Sequence, residues 1–273
     1  MKTILRTLLV SLALAPPAYA ADGVAFISDM KGEVTVDGNP RPLVLSELAK
    51  GQKVTLGRDA QVSVMYTASG KEFVLKGPGD YVVKEAEVSG SSPAVARSTE
   101  WRASTRVLTQ VAQTSAASVR MRSIAPQKQP AEKAFPSEGS IATLQPTFRW
   151  RADDAKAQTE FTLMVLGQDK PVHTAKVHGA TYRVVAKLRP ETDYSWTAVS
   201  AGNEVGGGQF RTLNSDALAR IEKRRPSERA EFSDRLLFAL MLQEMGAVQE
   251  ARELWARLAQ ERSDLPELAA LAR

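Results

Sequence analysis

Alternation constrains this chain more than any other feature. Between Gly51 and Glu85 it reads GQKVTLGRDAQVSVMYTASGKEFVLKGPGDYVVKE. Val62, Val64 and Tyr66 alternate with Gln61, Ser63 and Met65; Phe73 and Leu75 alternate with Glu72, Val74 and Lys76. A period of two sends successive side chains to opposite faces, which is the pattern of half-buried strands. Ser69-Gly70 and Gly77-Pro78-Gly79-Asp80 supply the reversals. Upstream, Gly32 to Gly38 runs a strand into an Asp37-Gly38 turn, and Leu43, Leu45 and Leu48 follow. Residues 21–90 are therefore expected to form a β domain, a small sandwich or jelly-roll-like barrel. Ser89-Gly90-Ser91-Ser92-Pro93 is turn chemistry and predicts its end.

The order of glycine, short strand, alternating strand, Ser-Gly turn, apolar strand and Pro-Gly turn resembles the FecR domain, a β-rich module of bacterial envelope proteins. That resemblance implies an exported sensory or adaptor module, with a signal relayed through a membrane partner. The stretch itself contains no reactive constellation.

An export signal is expected in residues 1–20. Lys2 and Arg6 precede the apolar run Leu8 to Ala15, and Ala18-Tyr19-Ala20 forms a small-x-small cleavage site, so cleavage after Ala20 and a periplasmic location follow. Cysteine is absent, so in an oxidising compartment each domain must be held by its own core rather than by disulfides. The positive charge is local. Residues 96–135 carry seven basic and two acidic groups, whereas the flanking regions are nearly balanced. A whole-protein basic field of the nucleic-acid-binding kind is excluded on that distribution.

Residues 91–138 read as a basic helical and extended linker, with one helix over 94–116 and a Pro-, Gln- and Lys-rich stretch from 122 to 138. Trp101, Arg102 and Arg106 are its candidate surface-anchoring residues, able to meet anionic lipid or cell-wall polymer. Residues 139–213 alternate again, from Phe148 and Trp150 through Phe161, Leu163 and Val165. The run Leu188-Arg189-Pro190-Glu191-Thr192-Asp193-Tyr194-Ser195-Trp196 resembles the corner-and-strand signature of fibronectin type III and related Ig-like domains. The resemblance implies a sandwich in which Tyr194 bonds back to the corner backbone and Trp150 and Trp196 fill the inter-sheet space. Gly206-Gly207-Gly208 is expected as a loop ahead of a closing strand.

Residues 214–273 are helical, with Ser215-Asp216 capping a first helix that stops before Pro226. Ala239, Gly246, Ala251 and Trp255 resemble a tetratricopeptide hairpin, present as one unit where about three are needed to bury the faces of a solenoid. The hairpin must then cover its apolar side with another domain, a second copy or a partner. Leu236, Leu240, Leu254, Trp255 and Leu258 are the candidate protein-docking residues.

Catalytic patterns find little footing. His173 and His178 lie five apart on or near strands and read as surface residues rather than zinc ligands. Asp153-Asp154 reads as a solvated loop pair, and neither a nucleophile elbow nor a phosphate-binding glycine loop occurs. The expectation is a multidomain, mainly β, non-enzymatic binding scaffold without cofactor or metal. Its expected partners are an envelope or inner-membrane protein, or a second copy joined as a homodimer through the helical end. The alternative is a peptidoglycan- or polysaccharide-binding protein presenting exposed aromatics to sugars.

Overall fold

The computed structural model describes residues 23–98, 134–152, 154, 156–227 and 229–272. Its first unit contains nine strands: β1 (Gly23–Lys31), β2 (Val34–Val36), β3 (Glu47–Ala49), β4 (Lys53–Leu56), β5 (Gln61–Tyr66), β6 (Lys71–Lys76), β7 (Gly79–Val83), β8 (Val88–Gly90) and β9 (Val95–Ser98). They form two antiparallel sheets, ordered β3-β1-β5-β6-β9 and β2-β4-β7-β8, and no barrel closes. Ile27, Val64 and Leu75 of the first sheet share a core with Val54, Tyr81 and Val83 of the second. Within the first sheet Val62 lies opposite Leu75 and Val64 opposite Phe73, so the two alternating runs place their apolar sets on one face, as their period requires. Asp37 and Gly38, with φ of 48° and 78°, make the expected turn after β2.

Two expectations fail at the far side of this unit. Val95–Ser98 is not the start of a helix. It is an edge strand, with Ala96 opposite Phe73 and Arg97 opposite Glu72, so the domain runs past residue 90 to at least Ser98. β5 is also buried on both faces from Val62 to Tyr66 rather than on one. The second face is covered by the C-terminal helices, of which the one over Phe232–Glu244 meets β1.

The second unit has β10 (Ser140–Ile141), β11 (Thr147–Arg149), β12 (Gln158–Val165), β13 (Pro171–His178), β14 (Thr181–Arg183), β15 (Asp193–Ser200) and β16 (Asn203–Thr212). A five-stranded sheet β10-β16-β15-β12-β13 packs with the two-stranded β11-β14. β10 runs parallel to β16, and the other pairings are antiparallel. Its core is aromatic: Phe148 lies 4.8 Å from Phe161 and 5.1 Å from Trp196, and Trp150 lies 6.1 Å from Trp196, between ring centres. Trp196 Nε1 donates to the Pro136 carbonyl at 2.6 Å, and Phe135 exchanges both backbone hydrogen bonds with Arg149. The unit therefore includes Phe135 and Pro136, which were expected in the linker.

Gly206 to Gly208 lie inside β16, not in a loop. A Cβ on Gly206 would sit 2.3 Å from Trp150 Cβ, and one on Gly208 would sit 2.5 Å from the Pro136 carbonyl oxygen. The glycines let the tryptophan and the incoming strand approach the β16 backbone. The reversal itself falls at Ala201-Gly202, with φ of 49° and 79°.

Four helices close the chain: α1 (Ser215–Arg224), α2 (Phe232–Glu244), α3 (Val248–Glu261) and α4 (Leu268–Leu271). The cap of α1 is Asn214, whose Oδ1 accepts from Ala217 N–H at 2.9 Å, rather than Ser215 or Asp216. Gly246, with φ +85°, turns the chain between α2 and α3.

Candidate recognition site

Leu236, Leu240, Trp255 and Leu258 are fully buried and Leu254 is 9% exposed. These five residues offer no face to a partner, which corrects the docking expectation. They belong to one continuous core with Phe26, Met65 and Leu45 of the first β unit. The lone hairpin has its apolar side covered by the chain's own first sheet, because that sheet presents apolar side chains on both faces. Trp101, Arg102 and Arg106 lie outside the described residues, as do residues 1–20, the expected export signal. Among the described residues, no helix is long and apolar enough to cross a membrane.

Polar groups tie the helices to both sandwiches. On the first, Glu72 is 1% exposed and accepts from Ser28 Oγ at 2.7 Å and from Arg97 Nε at 2.9 Å. Arg97 continues to Asp234 at 2.9 Å and to Ser233 Oγ at 3.0 Å on α2. Burial works against the Arg97 charge, but the Glu72 and Asp234 carboxylates outweigh it and raise its pKa. Arg262, after α3, bonds Asp29 at 2.5 Å and the Met30 carbonyl at 2.6 Å, and stacks over Phe232. On the second sandwich, Gln249 accepts from Ser137 N–H and donates to the Ala134 carbonyl, both at 3.0 Å. Arg149 pairs with Glu253 one turn further along α3.

Among the described residues, a surface open to recognition is a cleft of about 860 Å³ at one end of the first sandwich. Phe73, Val82, Val83 and Ala96 supply its apolar lining, and Lys50, Lys71, Lys84 and Arg97 its cations, against Glu85 and Glu87. Lys50 is held by Glu85 at 3.1 Å and Arg97 by Glu72. Lys71 and Lys84 are exposed, and no ion pair joins either to another described residue. The wall formed by the β7–β8 turn is fixed from within, since the single Tyr66 hydroxyl hydrogen is shared between the Glu87 carbonyl and the Lys84 carbonyl, the latter at 3.1 Å. Burial, helped by the Glu87 charge, pushes the Tyr66 phenol up to about 12.

Sequence reading did not find this cleft, since Lys71 and Phe73 lie on β6, Lys84 follows β7 and Ala96 lies on β9, and only Phe73 stood out in the alternation. His173 is not free on the surface: its Nε2 hydrogen-bonds the Tyr182 hydroxyl. His178 is exposed, and Asp154 lies in an exposed loop. Tyr194 Oη accepts from Arg189 N–H at 2.9 Å, the expected bond back to the corner. No protein-family model matches the sequence, and no curated protein matches it.

Proposed function

We propose that this protein is an exported, non-enzymatic binding scaffold of the bacterial envelope, built from a FecR-like sandwich, a fibronectin type III-like sandwich and a helical clamp. The second sandwich supports the fibronectin reading. In its favour, the antiparallel strands β16-β15-β12-β13 pack over β11-β14, and the Tyr194 hydroxyl bonds back to the corner that precedes β15.

The observation that carries a binding role is the cleft: apolar side chains beside two lysines that no other described residue pairs, on a double sheet. An acidic, partly apolar segment of an envelope protein matches that chemistry, because Lys71 and Lys84 complement carboxylates while the exposed Val82 and Ala96 contact an apolar side chain. Sugar recognition through sandwich aromatics has less support. Phe148, Trp150, Phe161, Tyr194, Trp196 and Phe210 are all buried.

Site-specific photocrosslinking in cells tests this reading. A probe at Val82, which is 39% exposed at the cleft, is expected to capture one envelope protein. Lys71→Glu with Lys84→Glu is expected to abolish that capture. Undiminished capture by the double variant would remove the cleft from the function. Retention on purified peptidoglycan that depends on the same lysines would replace the protein partner with the polymer.

A further inference from the structure

The helical clamp grips each sandwich through a carboxyl group set into the joint. On one side, Glu250, in the first turn of α3, accepts from Ala142 N–H with both oxygens, at 3.0 and 2.8 Å. Ala142 directly follows β10 and is itself buried. On the other, Glu267, the residue before α4, is 1% exposed and accepts from Val44 N–H at 2.9 Å. Neither carboxyl has an ion-pair partner among the described residues.

We propose that the clamp is a pH-responsive joint, seated on both sandwiches in mildly acidic medium and loosened as the medium turns alkaline, with Glu250 and Glu267 as its two sensors.

Both groups lose water on docking and regain it on opening, so docking disfavours their charged forms. Burial pushes Glu250 up to about 7 and also raises Glu267. The groups facing Glu250 are Glu253 on its own helix, which raises it further; Arg225 at the end of α1, which lowers it; and Arg149 of the sandwich, which is occupied by Glu253. The Ala142 N–H also favours the charge. Around Glu267, Asp264 raises and Arg262 lowers, with Arg262 shared among Asp29, Asp264 and the Met30 carbonyl. A carboxyl whose docked pKa lies above its free value stabilises docking fully below the free value. That contribution is lost as pH rises through the docked value.

Hydrogen exchange of the full chain, corrected for intrinsic rates, tests the proposal at two reporter amides. In the wild type the opening constant at Ala142 is expected to rise on the order of 50-fold from pH 5 to pH 8, with a rise at Val44 as well. Glu250→Gln keeps an acceptor for Ala142 and is expected to flatten the Ala142 profile while leaving the Val44 rise; Glu267→Gln is expected to do the reverse. A flat wild-type profile, or an unchanged Ala142 rise in Glu250→Gln, would overturn the proposal. Should a variant fail to fold, carboxyl carbon-13 titration of the wild type decides: a Glu250 midpoint near 7 supports the joint, and one near 4.5 sinks it.

Discussion

At the scale of single residues, two positions hold more than their sequence suggests. Glu72 occupies the polar phase of an alternating strand, where solvent exposure was expected, yet it is buried with Arg97 as its cation. Arg97→Ala leaves that carboxylate without a cation and is expected to cost about 3–5 kcal/mol in denaturant unfolding. Asp234→Ala removes a partner that is about one-third exposed and is expected to cost about 1 kcal/mol or less. Equal losses for the two variants would show that the buried carboxylate is not the critical member. Gly206→Ala drives a methyl group into Trp150 and is expected to cost about 1–3 kcal/mol by overpacking. Gly202→Ala meets no atom within 4 Å and is strained only by its φ of +79°, so its loss, about 1 kcal/mol, is expected to be the smaller.

At the scale of elements, the helices and the first sheet complete one another. A chain ending before Phe232 would expose Phe26 and Met65, both fully buried in the intact protein. It is expected to bind a hydrophobic dye and to lose cooperative unfolding, whereas a scaffold with a free-standing helical end would keep both sandwiches intact. The existence of the strands and helices was legible because each has its own period: two for β5, β6, β12 and β15, and 3.6 for α3, whose buried Ala251, Leu254, Trp255 and Leu258 form one stripe. Which faces are covered was not legible. Ser63 and Met65 look like the solvent phase of β5 until the helices that share a core with Met65 are in place. Gly206 to Gly208 read as a loop because a glycine run carries no face at all, and only the tryptophan across from it explains its place in a strand. The cleft was hidden for a related reason: Lys71, Lys84 and Ala96 are brought together by sheet order, which no local period encodes.

For the molecule as a whole, opposing titrations set a pH window. The carboxyls of Glu261 and Asp264 are lowered, chiefly by hydrogen bonds from Arg235 and Arg262 respectively. The stability they contribute is present above their ordinary carboxylate values and is lost as pH falls through their folded ones. Glu250 and Glu267 act in the other direction, toward alkaline pH. Thermal midpoints are therefore expected to peak between about pH 5 and 7, and Glu250→Gln is expected to flatten the alkaline limb without moving the acid one. An acid limb that moves with Glu250→Gln would show that the two sets are coupled.

The bond from Val44 to Glu267 joins the beginning of the described chain to its end. Synthesis runs from the amino end, so β1 and β5 leave the ribosome well before α2, and the first sheet stays apolar on both faces until that helix arrives to cover it.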